Sequence, residues 1–180
     1  MQAEFPLRSR ALKTDMKNIV LIGMPGSGKS TVGVLLAKAL GLQFCDTDLL
    51  IQQKTGEKLQ ETIDTKGLSY FLTIEEEILS NLDCNGFVIA TGGSAVLSSK
   101  AMEHLKQSSK VVFLDVPLEE IKQRINNITT RGIAMEKEDN IDTVFKKRLP
   151  LYRKYADITL RTEKLTLEDT VEKIIKVIYI

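Results

Sequence analysis

The segment Gly23–Ser30 has the residue types and spacing of a phosphate-binding loop. It reads Gly-Met-Pro-Gly-Ser-Gly-Lys-Ser and fits the pattern G-x-x-x-x-G-K-[ST]. Glycines let a backbone turn tightly, so that successive N–H groups can meet phosphate oxygens. Lys29 adds a positive charge for the β- and γ-phosphates, and the Ser30 hydroxyl can bind Mg²⁺. A chance match in so short a chain has odds below about one in a hundred. The motif therefore predicts a nucleoside triphosphate site.

Two carboxylates follow the second predicted strand. Asp46 and Asp48 come directly after the short apolar run 43–45. In an open α/β sheet, ligands bind outside the carboxyl ends of the strands, and this pair falls there. One carboxylate can join the Mg²⁺ shell while the other accepts a proton from an attacking hydroxyl. A structural alternative makes Asp46 the N-cap of the next helix.

Glycines and arginines add weaker signals at the same end of the predicted sheet. Gly92 and Gly93 end another strand and offer open backbone N–H groups, although a plain turn is the alternative. Three arginines flank or lie in the polar stretch 126–140: Arg124, Arg131 and Arg148. Phosphoryl transfer needs positive charge that arrives on closure, and closure also excludes water. The stretch is therefore predicted to be a mobile lid, with solvated surface arginines as the ordinary alternative.

Composition limits the class of protein. The chain has 180 residues, of which 43% are hydrophobic and 27% charged, and these values suit one globular domain. A net charge of +1 gives no general surface for nucleic acid or membrane. Cys45 and Cys84 lack a metal or redox spacing, and the single His104 cannot build a metal cluster. We expect a cytoplasmic monomer with reduced thiols and no nucleic-acid or membrane partner.

The segments that must position these residues alternate between strand and helix. Strands are predicted at the apolar runs 18–22, 43–45, 86–91, 110–115 and 158–160. Helices are predicted at 29–40, 98–107, 118–127, 141–155 and 167–177, with helical pieces in 49–85 that break near Gly56 and Gly67. This alternation predicts an α/β fold, a three-layer doubly wound parallel five-stranded sheet. Residues 1–15 lack periodicity and are predicted to be a flexible N-terminal extension.

Several of these motifs together resemble the shikimate kinase family, over roughly residues 16–177. The P-loop is shared by many NTPases, whereas the other motifs, in this order, are more specific. Those motifs are Phe44-Cys-Asp-Thr-Asp48, Thr91-Gly-Gly-Ser-Ala-Val96, Arg131 and Lys147-Arg-Leu-Pro-Leu-Tyr152. The resemblance implies a P-loop nucleoside-monophosphate-kinase-like fold, with 16–180 as a single kinase domain and a mobile lid around 126–140. It also implies transfer from ATP to shikimate, giving 3-phosphoshikimate in aromatic amino-acid biosynthesis.

The resemblance also implies residue roles. The residues expected to contact ATP are Gly26, Ser27, Gly28, Lys29, Ser30, Thr31, Arg124 and Arg131. Within that set, Arg124 would lie against adenine and Arg131 on the phosphates. The cofactor Mg²⁺ is expected on Ser30 and, through water, on Asp46. Asp48 would bind the acceptor hydroxyls as base or orienter, Gly92 and Gly93 would contact the acceptor through backbone groups, and Arg148 would meet its carboxylate. The expected catalytic residues are Lys29, Asp48 and Arg131.

Departures from the family lie on the acceptor side. Where the family has an arginine that grips the substrate carboxylate, two residues before an Ile-Glu-Glu run, this chain has Leu72. Losing one charge-assisted contact costs about 1.5–3 kcal/mol, or roughly one to two decades of affinity. The third glycine of the usual triplet is Ser94, and the lid reads Arg131-Gly-Ile-Ala instead of arginine, proline and leucines. Two alternatives therefore stay open: a same-fold kinase for another small alcohol, and a nucleotide-binding module without turnover.

Overall fold

A computed structural model describes residues 17–126 and 132–178. Its strands are β1 (Asn18–Ile22), β2 (Gln43–Asp46), β3 (Phe87–Ala90), β4 (Ser109–Asp115) and β5 (Ile158–Arg161). They form one parallel sheet in the order β2-β3-β1-β4-β5. The predicted five-stranded parallel sheet is confirmed, and each strand end lies within one residue of its predicted limit. The predicted extension 1–15 and the lid residues 127–131 lie outside the described residues.

Helices connect the strands and cover both faces of the sheet. They are α1 (Lys29–Leu40), α2 (Thr47–Thr55), α3 (Leu59–Lys66), α4 (Leu68–Ser80), α5 (Ser99–Ser108), α6 (Leu118–Asn126), α7 (Ile141–Tyr155) and α8 (Leu167–Ile178), with a short 3₁₀ turn at Ala95–Leu97. As predicted, the helical span after β2 breaks at Gly56 and Gly67. None of the helices within 17–126 and 132–178 has the length and apolar character needed to cross a membrane.

Side chains of the central strand point alternately into two buried layers. Ile19 and Leu21 pack with apolar residues of α1 and α8 on one face. Val20 and Ile22 pack with α5 and α7 on the other face. Because β1 is buried along its whole length, its carboxyl end is a rigid base for the loop that follows. Ile51, Phe71, Ile74 and Ala134 form a third cluster, which joins α2 and α4 to the described part of the predicted lid.

Candidate active site

The loop between β1 and α1 is held from within by its own lysine. Lys29 is 8% exposed. Its Nζ donates hydrogen bonds to Gly23 O at 2.9 Å and Met24 O at 2.8 Å. Gly28 precedes α1 in a left-handed conformation, and Ser30 and Thr31 lie in the first turn of that helix. The structure thus places the phosphate-binding motif between a buried strand and a helix N-terminus, where backbone N–H groups favour anions.

Oxygen ligands suited to a divalent cation gather beside this loop. Ser30, Asp46 and Asp48 line one pocket. Oδ1 of Asp46 accepts a hydrogen bond from Asp48 N at 3.0 Å and so caps α2, which leaves the second oxygen of Asp46 for a metal-bound water. Mg²⁺ prefers oxygen ligands and keeps several waters, so this small donor set fits it. The cap and the metal role of Asp46, weighed as alternatives, are compatible.

The two glycines after β3 differ in what their backbone offers. Gly92 N donates a hydrogen bond to Thr47 Oγ1 at 3.2 Å. The expectation that both glycines present open N–H groups is therefore wrong for Gly92, because its donor ties the end of β3 to α2. Gly93 keeps its N–H without an acceptor in the described part of the chain, while its carbonyl accepts from Tyr152 Oη at 2.6 Å. The buried tyrosine stacks on Phe113 and fixes this turn against α7.

Arg148 of α7 is a buried cation, and one of the two terminal nitrogens of its guanidinium group is hydrogen-bonded. It is 4% exposed. Nη2 donates to the Ala134 carbonyl, whereas Nη1 is buried and has no hydrogen-bond partner among residues 17–126 and 132–178. A buried, unpaired guanidinium N–H is costly, so this group is ready for an anionic ligand. A carboxylate is a suitable ligand, because its oxygens can accept charge-assisted hydrogen bonds from Nη1.

These residues meet around one cavity, the central pocket. The predicted site residues that line it are Lys29, Ser30, Asp48, Gly92, Gly93 and Arg148. They come from α1, α2, the β3 turn and α7, so that the sheet brings together positions more than a hundred residues apart. Arg131 lies outside the described residues, but the next residue, Gly132, also lines the central pocket.

A second group of predicted residues borders an outer pocket on the far side of the loop. Arg124 Nη1 donates to Gly26 O at 3.4 Å, and its Nη2 pairs with Glu120 Oε2 at 3.1 Å. Arg124 and Ser27 share this pocket with the β5–α8 connection and the first turn of α8, through Thr162, Leu165, Thr166, Leu167 and Thr170. Sequence reasoning did not predict that this connection lines a pocket. Its position could have indicated this, because it follows β5 at the edge of the sheet where the phosphate-binding loop follows β1.

The described part of the lid packs closely on α3. Ala134 is buried in the third cluster. A Cβ added at Gly132 would lie 2.7 Å from Gln60 N and 2.9 Å from Leu59 Cβ. Only a glycine allows this approach. Sequence reasoning found few anchors in this stretch and missed Ala134, whose small side chain carries no obvious signal.

Sequence reasoning also missed a buried glutamate beside the central pocket. Glu75 of α4 is 2% exposed, and Oε2 accepts a hydrogen bond from Ser94 Oγ at 2.6 Å. Burial raises the pKa of Glu75 to about 7, against the lowering effects of the Ser94 hydrogen bond and the positive charges of Arg148 and Lys29. A signal was present, because Glu75 shares the buried face of α4 with Phe71, Ile74 and Leu79.

Leu72 lies next to this glutamate and outside the lining of the central pocket. It packs partly buried against the third cluster. Its exposed side borders a neighbouring depression, the Leu72 pocket, together with Glu75, Ser94 and Leu97. The residues that line this depression include no cation, whereas the buried Arg148 lines the central pocket.

Comparison with known proteins gives one consistent family. The family model "Shikimate kinase" matches residues 25–179. The shikimate kinase of Thermodesulfovibrio yellowstonii is 42% identical over 164 residues, which cover 89% of this chain and 94% of that protein. The shikimate kinase of Sulfurihydrogenibium sp. is 37% identical, with 89% and 96% covered.

Solved structures agree with the sequence relatives. Shikimate kinase from Acinetobacter baumannii in complex with shikimate is 35% identical, with a TM-score of 0.86 over 94% of this chain and 96% of that one. Shikimate kinase from Aquifex aeolicus is 33% identical, with a TM-score of 0.75 over 90% and 96%. These matches confirm the predicted P-loop nucleoside-monophosphate-kinase-like fold. The chain belongs to the shikimate kinase family and is an ATP-dependent phosphotransferase with an alcohol group as acceptor.

Proposed function

We propose that this chain transfers the γ-phosphoryl group of ATP to a hydroxyl of shikimate, giving ADP and 3-phosphoshikimate. The observation that carries the proposal is the central pocket, where a phosphate-loop lysine, a carboxylate and a buried arginine face one space. Shikimate is a polyol with a carboxylate, and those three groups match a phosphate, a reacting hydroxyl and an acid. The relative whose structure contains shikimate is 35% identical to this chain.

Each site residue then has a defined task. Lys29 and the loop residues Gly26–Thr31 hold the phosphates, and Arg124 lies against the adenine in the outer pocket. Asp48 orients the acceptor hydroxyl and accepts its proton. Gly92 and Gly93 shape the acceptor wall, where the N–H of Gly93 is the donor for the acceptor. Arg148 binds the acceptor carboxylate through Nη1, and Arg131 brings positive charge to the transferring group.

Mg²⁺ is proposed as the cofactor, held by Ser30 directly and by Asp46 through water. The support is the pocket of oxygen donors beside the phosphate loop. When bound, the cation neutralises charge on the β- and γ-phosphates. The chain's own residues position both substrates and exclude water, which favours transfer over hydrolysis.

We further propose that residues 16–180 form a single P-loop kinase domain. It would act as a cytoplasmic monomer on two small-molecule substrates, with no nucleic-acid or membrane partner. Two free cysteines, Cys45 and Cys84, support a reducing compartment. Light scattering of the purified protein measures the oligomeric state directly.

A kinase for another small alcohol is the second candidate, and Leu72 is the observation that favours it. The position that carries a carboxylate-gripping arginine in the family has a side chain that cannot donate a hydrogen bond. Among the described residues that line the central pocket, Arg148 is the one arginine, so the penalty against acceptors that lack an acid group is smaller.

Measurement of ADP release with shikimate and with a panel of other polyols separates the two candidates. Shikimate-stimulated release supports the first. The variant Leu72→Arg should then lower the KM for shikimate by roughly tenfold, since it adds one charge-assisted contact. Ser69→Arg, which adds the same charge at an exposed site of α4, is the control and should leave KM unchanged. An unchanged KM in Leu72→Arg, or faster turnover of a neutral polyol, would favour the second candidate.

A further inference from the structure

A buried carboxyl group, that of Glu75, has only one of its two oxygens satisfied. Oε2 accepts from Ser94 Oγ at 2.6 Å. Oε1 is buried and has no hydrogen-bond partner in the described ranges. Buried polar atoms without a partner are uncommon in folded proteins and often mark a place that a ligand or an ordered water completes.

The unsatisfied oxygen lies beside the carboxylate already placed in the site. A Cβ built on Gly92 would overlap Oε1 of Glu75 and would lie 2.9 Å from Oδ1 of Asp48. Both oxygens therefore stand against the same backbone carbon, and that residue lines the central pocket. Two carboxyl groups so close together can bind neighbouring hydroxyl groups of one polyol.

The hydroxyl of Ser94 sets the direction of this oxygen. Ser94 is 3% exposed and lines the central pocket itself. Because Ser94 Oγ donates a hydrogen bond to Oε2, turning the carboxyl group away from Ser94 would break that bond. Ser94 stands at the third position of the glycine triplet, so this hydroxyl is a feature of the present chain.

A second serine–glutamate pair on α4 serves as a comparison, because it is a structural contact outside the central pocket. One residue further along α4, Glu76 accepts through Oε2 from Ser98 Oγ, also at 2.6 Å. That pair is half-buried and borders the Leu72 pocket, as the inner pair does, but neither of its residues lines the central pocket, whereas Ser94 does. Both pairs join α4 to the segment after β3, but only the inner pair leaves a buried oxygen unsatisfied.

We propose that Glu75, oriented by Ser94, binds a non-reacting hydroxyl group of the acceptor through Oε1, next to the reacting hydroxyl on Asp48. Glu75 is thus an acceptor-binding residue and Ser94 a positioning residue. The proposal rests on the proposed function for the polyol character of the acceptor. It assigns hydroxyl recognition to the side of the central pocket formed by Gly92 and Ser94.

The charged groups around Glu75 make its binding sensitive to pH. Burial raises the pKa of this carboxyl to about 7. The hydrogen bond from Ser94 and the charges of Arg148 of α7 and Lys29 of α1 lower it, whereas the charge of Asp48 of α2 raises it. A carboxylate accepts a hydroxyl hydrogen bond more strongly than the neutral acid does. The KM of the unmodified enzyme for its acceptor should therefore fall as pH rises from 6 to 8.

The test compares steady-state kinetics of Glu75→Gln, Ser94→Ala and the control Glu76→Gln, each after a melting temperature has shown that it folds. In Glu75→Gln we expect the acceptor KM at pH 8 to rise about tenfold, with kcat and the KM for ATP within about twofold. Ser94→Ala should show a smaller rise of the same kind. The pH trend of KM should vanish in Glu75→Gln, and Glu76→Gln should match the unmodified enzyme.

An acceptor analogue identifies the contact itself. For the deoxy analogue that lacks the hydroxyl bound by Glu75, Glu75→Gln and the unmodified enzyme should have equal KM. An unchanged acceptor KM in Glu75→Gln, an equal loss in Glu76→Gln, or a pH trend that survives the substitution would each overturn the proposal. If the unmodified enzyme does not turn over shikimate, the proposed function fails, and the same variants are compared on the polyol of the panel with the highest turnover.

Discussion

At the scale of single residues, Asp48 is the proposed acceptor of the substrate's proton. It lines both the central pocket and the adjoining pocket of Ser30 and Asp46, so it stands between the proposed acceptor and metal sites. Asp48→Asn keeps the shape but cannot accept the proton. We expect kcat to fall by about 10²–10⁴-fold while ATP affinity, measured by titration, stays within about twofold. Asp64→Asn at an exposed position of α3 is the control, and transfer that survives in Asp48→Asn would contradict this role.

Arg148 gives a second prediction at this scale. Nη2 is occupied by Ala134 O, and Nη1 has no partner among the residues that the structure describes. A lysine cannot bind the Ala134 carbonyl and the acceptor carboxylate together as an arginine can, because its ammonium lacks the planar fork of a guanidinium. Arg148→Lys should raise the acceptor KM by roughly 10–100-fold with the ATP KM little changed. Arg153→Lys, an exposed change on the same helix, should have no effect; an equal effect there would point to α7 as a whole.

Single residues also show where sequence reasoning succeeds and fails. Lys29, Ser30 and Asp48 were predictable because phosphate chemistry demands those residue types at fixed spacing, and the structure brings them to one pocket. Glu75 and Ser94 were not predicted, since their pairing depends on how α4 packs against the turn after β3. The hydrogen bond from Gly92 N to Thr47 Oγ1 was not predicted for the same reason, since the two residues are distant in sequence.

At the scale of elements, residues 132–134 of the predicted lid are held by α3 and α7 together. Gly132 approaches Leu59 and Gln60, and the Ala134 carbonyl accepts from Arg148. The strands, and the helices outside 49–85, were predictable to within one residue, because buried runs and helical spacing repeat along the chain. Within the span 49–85 the limits were wrong: α2 begins at Thr47 and α4 ends at Ser80. The packing of residues 132–134 on α3 was not predictable, because it depends on the absence of a side chain at Gly132.

That docking predicts the result of filling the space. Gly132→Val would place Cβ within 3 Å of Leu59 and of the backbone of Gln60, so the segment must move away. We expect kcat/KM for the acceptor to fall about tenfold, and ADP release without acceptor to rise relative to transfer, because a displaced segment admits water. Hydrolysis and transfer are measured on the same preparation. An unchanged ratio of the two rates would show that this contact does not close the site.

At the scale of the whole molecule, the buried carboxyl group that we propose to bind the acceptor also affects stability. Burial of Glu75 raises its pKa from 4.5 to about 7, so the folded protein binds a proton there that the unfolded chain releases. An acid with a raised pKa in the folded state stabilises the fold less as pH rises from 4.5 to 7. Desolvation beneath the central pocket therefore lowers the free energy of unfolding at neutral pH, a cost that sites with perturbed pKa values often carry.

The pH dependence of unfolding measures this cost. Glu75→Gln cannot ionise, so its free energy of unfolding relative to the unmodified protein should increase between pH 5 and pH 8, by roughly 2 kcal/mol. The other titrating groups are common to both proteins and cancel in the difference. Denaturant unfolding without ligands at the two pH values gives the two differences, and Glu76→Gln should show no such change. A difference that is flat with pH, or that decreases, would mean that Glu75 ionises in the folded protein as readily as in the unfolded chain.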